Sequence, residues 1–311
     1  MTRMKRGVGL AAAIVACETN PATGKRIFTP LSREEEVALG AQAAPQLSQE
    51  FGGPIQSSAV QQYVTQLGQK LAKQTEGDYP SLNWQFTALN SPVVNAFSLP
   101  GGKVFITRGL MEKMSNEAQM AGVLGHEIGH VTAQHVAQQV GKQTLMETGL
   151  QITGAAVGQA GGAAASYGQL VLPALNVGGQ LLMLKFSRSD ENQADSLGLR
   201  YMTRAGYDPR GQVQVMQILQ SLGTSGAEWL QTHPLPETRI EQVQSQINSQ
   251  YGAMVNNPNY GLYPERFAPV LAELKRLPPA PQPKPAGAAG SGSQMRSSQP
   301  ARGDVIGRPA R

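Results

Sequence analysis

Apolar residues recur along the chain at two spacings, and each spacing predicts a type of element. Val60, Tyr63, Val64, Leu67 and Leu71 follow one another in steps of one to four, which predicts an amphipathic helix over 57–75. Ahead of it, Ser32 followed three residues later by Glu35 forms a capping box. The helix it opens runs to about Glu50, with Pro45 as a candidate disturbance. Leu82, Trp84 and Phe86 alternate with polar residues, which suits a strand. Val93–Phe97, the turn Pro100-Gly101-Gly102 and Lys103–Thr107 read as a hairpin. Ser115 can cap a long helix running to about Gly141. Further helices are expected over 189–205, ended by Gly206, over 209–222 behind an Asp208 cap, and over 236–250. The fold class is α+β: mostly helical, with a small sheet inserted early and no internal repeat.

Composition changes this picture mainly at the two ends. The chain has 311 residues, one cysteine, four histidines and a formal net charge of +5. A single cysteine excludes an internal disulfide framework, a Cys-based zinc ribbon and an iron–sulfur cluster. The basic stretch Met1–Arg6 is followed by an uncharged run to Ala16, the pattern of a secretory signal, too short to span a bilayer. Ile14-Val15-Ala16-Cys17 resembles the lipobox of bacterial lipoproteins. That resemblance implies cleavage before Cys17 and acyl chains on it, each buried CH₂ contributing ~0.8 kcal/mol to a stable anchor. The alternative is an ordinary signal with an incidental cysteine. Glu18 after the cysteine favours an outer-membrane destination.

From Pro278 to Arg311 the chain turns to Pro, Gly, Ala, Ser and Gln, a tail expected to be disordered. Signal and tail together hold all of the excess positive charge, which leaves residues 17–277 mildly acidic. Nucleic acid is therefore not an expected partner. The expected organisation is a lipoprotein signal over 1–16, a linker over 17–30, a catalytic domain over 31–277 and the tail over 278–311. Within the domain, Thr148–Leu184 is uncharged over 37 residues. Its eight glycines and recurring glutamines favour an excursion near the active site, touching lipid, over a membrane hairpin.

The chemistry concentrates in Gly125-His126-Glu127-Ile128-Gly129-His130. Two histidines at i and i+4 share a helix face and can meet one metal, with the glutamate between them placed to take a proton from water. His135 is not the third ligand of a metzincin pattern: it stands nine positions after His126, not ten, and position 133 is alanine. On a continuous helix it faces away, as a packing residue. Glu191, at the start of a helix, is the better third ligand. Asp195, one turn on, is placed to accept the outer N–H of a ligand histidine. Two histidines, one glutamate and a water make the open site of a catalytic zinc.

These motifs, with Asn95-Ala96-Phe97, Gly101-Gly102-Lys103-Val104-Phe105, Ser187-Arg188-x-x-Glu191-x-x-Ala194-Asp195 and Thr232-His233-Pro234, span about 30–250. In order and spacing they resemble the HtpX and CAAX prenyl protease family of zinc metallopeptidases, most closely its soluble periplasmic BepA/LoiP-like members. Position 193 is Gln where that pattern has an acidic residue. The resemblance implies a zincin-like fold, one Zn²⁺ per chain on His126, His130 and Glu191, and endopeptidase activity on misfolded or misassembled envelope proteins.

In the implied mechanism the zinc lowers the pKa of its water towards ~7 and Glu127 acts as general base. His233 either donates to the oxyanion or closes the resting zinc as a fourth ligand. Arg239 is a weaker candidate for the same pocket, and the strand ending in Asn95, Ala96 and Phe97 is a candidate for pairing with extended substrate. The expected location is periplasmic, lipid-anchored through Cys17. Two rival readings are a chaperone-like lipoprotein with a gated or inactive site, and an integral membrane protease.

Overall fold

The fold is built round one buried helix. In a computed structural model, which describes residues 17–29, 31–147, 181, 184–234 and 237–281, a short antiparallel pair comes first: β1 (Cys17–Thr19) with β2 (Arg26–Phe28). This pair lies in the stretch expected as a linker. Helices α1 (Arg33–Glu50) and α2 (Ser58–Ala72) follow. The capping box forms at the head of α1: Ser32 Oγ accepts from Glu35 N–H at 3.2 Å, and Glu35 Oε2 accepts from Ser32 N–H at 2.7 Å. Pro45 sits inside α1 without ending it.

Strands β3 (Gln85–Leu89), β4 (Ala96–Leu99) and β5 (Lys103–Thr107) form a sheet in the order β3-β5-β4. The expected hairpin is β4 with β5, antiparallel, while β3 runs parallel to β5. Gly101 lies at φ 73° in the hairpin turn, and a Cβ there would come within 2.5 Å of Val37 Cα, so the turn can pack on α1 only with glycine. The strand expected from Leu82 starts at Gln85; Trp84 stacks on Phe86 at 5.9 Å instead of extending it.

After a turn of helix, α3 (Arg108–Met111), comes α4 (Glu117–Thr132), buried along its whole length. Its cap is Asn116, whose side chain accepts from Gln119 N–H at 3.0 Å, not Ser115. Nor does the helix continue to Gly141. It ends at Thr132, Gln134 adopts φ 58°, and α5 (His135–Glu147) sets off in a new direction.

Then come α6 (Arg188–Arg204), α7 (Arg210–Gly226), the four-residue α8 (Trp229–Thr232), α9 (Glu237–Gln246) and α10 (Pro264–Arg276). The spacing analysis does not anticipate α10, although Pro264 in its first turn and the buried Phe267, Val270 and Leu274 carry the signal. The main core joins α2, one face of the sheet, α4, α6, α7 and α10; a smaller cluster of Phe51, Phe97 and Phe105 lies on the sheet's other face, against α1. Among the described residues no helix is long and apolar enough to cross a membrane. Residues 1–16 lie outside the described residues, as do 282–311 and, except for Leu181 and Leu184, the uncharged stretch 148–184.

Candidate metal centre

Small residues decide how closely α4 and α6 cross. A Cβ on Gly129 would lie 2.9 Å from Ala194 O, and one on Gly125 would lie 3.1 Å from Gly198 O. The glycines sit one turn apart on α4, Ala194 and Gly198 one turn apart on α6, and the backbones meet between them. That approach brings the first turn of α6, with Glu191, against the two histidines of α4. Ser187 caps α6 through Asp190 in a second capping box.

The side chains of His126, His130, Glu191 and His233 are all buried, and one potential ligand atom from each lies within 4.8 Å of the others. His130 Nε2 is 3.0 Å from His126 Nε2, which is 3.3 Å from His233 Nδ1. Glu191 Oε1 is 2.9 Å from His233 Nδ1 and 3.4 Å from His130 Nε2. Glu191 Oε2 is 3.5 Å from His126 Nε2 and 2.5 Å from Arg239 Nη1, yet no N–H points at it. Glu191 Oε2 is ion-paired with Arg239 but accepts no aligned hydrogen bond, and the imidazole nitrogens crowded beside it leave lone pairs that a metal ion would satisfy. Three imidazoles and a carboxylate form a nitrogen–oxygen donor set that suits zinc.

Acidic groups around the cluster face the Arg239 guanidinium. Burial pushes Glu191 up, but His233 and Arg239 outweigh it and hold the carboxyl well below its usual range. Burial likewise raises Asp195, and the Arg239 guanidinium facing it reverses the direction. Arg239, itself buried, donates Nε to Asp195 Oδ2 at 2.5 Å and Nη2 to Oδ1 at 2.9 Å. Asp195 Oδ1 also lies 2.9 Å from His126 Nδ1, on the side of the ring away from the cluster. Burial drives His130 well below the usual imidazole range.

Glu127 points into the same pocket from α4. Ser98 donates Oγ to its Oε2 at 3.0 Å, and Trp229 donates Nε1 to its Oε1 at 3.2 Å. Trp229 also stacks on His233 at 4.7 Å, and Phe186 lies over His130 at 4.1 Å. The spacing of residues along the chain does not mark these contacts. The signals were slight: Ser98 is the polar, alternate-face residue after Phe97, and Trp229 is one of two tryptophans, one helical turn before His233.

Of the strand trio, Ala96 packs in the main core and Phe97 stacks on Phe105 at 4.8 Å. Asn95 is buried, with Nδ2 3.4 Å from Glu228 Oε1. Their side chains are committed to packing; what β4 offers is the backbone of an edge strand. His135 departs from expectation. The break at Gln134 turns it back, so that it is buried with Nδ1 2.9 Å from His130 Nδ1.

Comparison with known proteins agrees with this arrangement. Residues 58–247 match the model of peptidase family M48. The mitochondrial metalloendopeptidase OMA1 of Arabidopsis thaliana is 36% identical over 161 residues, 51% of this chain and 30% of that protein. The beta-barrel assembly-enhancing protease of Escherichia coli is 27% identical over 242 residues, 75% of this chain and 48% of that one. OMA1 of Schizosaccharomyces pombe is 27% identical over 83% of this chain and 73% of its own length. The chain thus spans less than half the length of the first two. An α+β fold carrying H-E-x-x-H on a helix, and a family match covering more than half of its length, lead to one conclusion: the chain belongs to peptidase family M48 and is a metallopeptidase.

Proposed function

We propose that the chain is a zinc-dependent endopeptidase of the bacterial cell envelope that cleaves misfolded or misassembled membrane proteins, those of the outer membrane in particular. The observation that carries the chemistry is the convergence of His126, His130, Glu191 and His233 beside Glu127. The envelope setting is supported by the lipobox-like residues before Cys17 and by likeness to proteins named for β-barrel assembly. In this reading Cys17 carries the lipid anchor.

His126, His130 and Glu191 would hold the zinc, with Asp195 orienting His126. When bound there, zinc supplies Lewis-acid chemistry, polarising the scissile carbonyl and easing deprotonation of the attacking water. Glu127 takes that proton and delivers it to the leaving amine. Ser98 and Trp229 hold the Glu127 carboxylate in place until the water arrives. The edge of β4, entered through Asn95, Ala96 and Phe97, pairs with the extended substrate through main-chain groups that β5 leaves free. Those of Ala96 serve in particular, because both main-chain groups of Asn95 are taken by Thr107; the mode tolerates many side chains.

His233 had two candidate roles. Its Nδ1 lies beside Glu191 Oε1 and His126 Nε2, which favours a fourth ligand that closes the resting site. Donation to an oxyanion would require the ring to move outward first. A closed corner also accommodates the chaperone-like alternative, in which clients bind more often than they are cut.

Mass spectrometry of an unfolded outer-membrane protein incubated with the full chain tests the proposal. Internal cleavage products that vanish with a zinc chelator and return with added zinc are expected. Intact client under all conditions, from zinc-loaded protein, would overturn the endopeptidase reading.

A further inference from the structure

The two histidines of the H-E-x-x-H motif are held from behind by different partners. His126 turns its Nδ1 to a carboxylate, that of Asp195, at 2.9 Å. His130 has no carboxylate at its Nδ1; it meets a second imidazole, His135, at 2.9 Å with the rings at 72°. His135 Nε2 in turn lies 3.0 Å from Gln193 Oε1 on α6.

One arrangement of protons satisfies all three groups. His130 presents Nε2 to the cluster, so a ligand lone pair belongs on Nε2 and the proton on Nδ1. That N–H must find an acceptor, and among the described residues the one it faces is His135 Nδ1. The proton of His135 is then on Nε2, where the Gln193 carbonyl oxygen accepts it. The chain runs in one direction, and it leaves no buried N–H unpaired.

The geometry that allows this is local and strained. A helix continuing past Thr132 would carry His135 away from His130. Gln134 breaks it at φ 58°, a left-handed conformation that is unfavourable for a residue with a Cβ. The Gln134 side chain is tied on both sides: Asn20 Nδ2 donates to its Oε1 at 3.1 Å, and its Nε2 donates to Glu36 Oε1 at 3.2 Å. Asn20 Nδ2 also reaches Thr132 O at 2.8 Å, the end of α4. Segments far apart in sequence therefore hold the break that aims His135.

We infer that His135, backed by Gln193, is the positioning residue that fixes the ring orientation and tautomer of His130 for the metal. The inference rests on the proposed reading of His130 as a ligand. It gives the site an asymmetric support, a charged partner behind one ligand and a neutral imidazole–amide pair behind the other. Loss of such an outer partner typically weakens metal binding 10- to 100-fold.

The test measures zinc affinity by competition with a chromophoric chelator, and the visible spectrum of the cobalt-substituted protein, in the full chain. His135→Leu is expected to bind zinc about 10- to 100-fold more weakly and to shift the cobalt bands. His135→Asn, whose Oδ1 can accept from His130 Nδ1–H, is expected to recover affinity to within a few-fold of wild type. Gln193→Leu, at a half-buried position, is expected to fall between them. Wild-type affinity and spectrum in Gln193→Leu and His135→Leu would overturn the inference, and so would an Asn variant as weak as Leu. If His135→Leu does not fold, the Asn and Gln193→Leu variants decide by the same criteria. Failure of the wild-type chain to bind zinc at all would instead remove the metal-site reading beneath it.

Discussion

Three of the four clustered donors, those of His126, His130 and Glu191, ride on helices of 16 and 17 residues, whereas His233 follows a helix of only four. The long helices cross with backbone against backbone at Gly125, Gly129, Ala194 and Gly198, which leaves no slack between them. The short one cannot hold itself together by its own hydrogen bonds. It is kept in place by Trp229, whose ring stacks on His233 and whose Nε1 reaches Glu127. Upstream, Gly223 breaks α7 at φ 64° with open space around it. A fixed half that can hold an ion, set by backbone packing, and a covering half, set by side-chain contacts, are thus built from different local physics.

The sharpest way to divide the two halves is by what each variant loses. Glu127→Gln should lower turnover of an unfolded client by ~10²–10⁴-fold while metal content stays stoichiometric, because the amide cannot take the proton. Retained turnover would remove Glu127 from its role. Glu191→Ala should lose the metal on dialysis, since it strips the only carboxylate from the four clustered donors. His233→Ala should keep it, because the three donors that remain all sit on the two long helices that cross without slack, whereas Glu191→Ala leaves only two there. Equal metal loss in the two variants, measured by atomic absorption after dialysis, would erase the contrast between the halves.

The crossing itself is open to a smaller test. Gly129→Val would press a branched side chain onto the Ala194 carbonyl, where even a Cβ lies at 2.9 Å. The expected loss is ~1–3 kcal/mol of stability, read from denaturant midpoints, with weakened zinc binding as α6 is pushed away. Unchanged stability would mean that the helices can separate, and the fixed half would not be fixed.

The fixed half was also the more legible one. H-E-x-x-H declares its ligands because both lie on one helix, and Glu191 could be found at the head of another. The covering half depends on contacts across long sequence separations: Ser98 and Trp229 reach Glu127 from a strand and from a short turn of helix, with no local periodicity to mark them. His135 does not point where an unbroken helix would aim it, because the break at Gln134 depends on Asn20 and Glu36, which no window around 135 contains. The sheet shows the same division. The β4–β5 hairpin is announced by Pro100-Gly101-Gly102, but the parallel pairing of β3 with β5 is a tertiary fact.

Glu36 probes the far end of the fixed half, where it accepts from Gln134 at the end of α4. Burial pushes its carboxyl up from 4.5 to about 7, opposed by Arg33 and by the Gln134 hydrogen bond. A carboxyl whose pKa is raised on folding adds stability that is fully present below the unfolded value and is lost as pH rises through the folded one. The loss should therefore fall between pH 4.5 and 7. At 1.36 kcal/mol per unit, Glu36→Gln should stabilise the protein by ~2 kcal/mol more at pH 8 than at pH 5. The amide keeps an oxygen for Gln134, so the break is preserved and the charge alone is removed. Denaturant midpoints of wild type and variant at the two pH values measure the difference. A variant equally stable relative to wild type at both would show that Glu36 is solvated, and that the end of α4 belongs with the yielding part of the molecule.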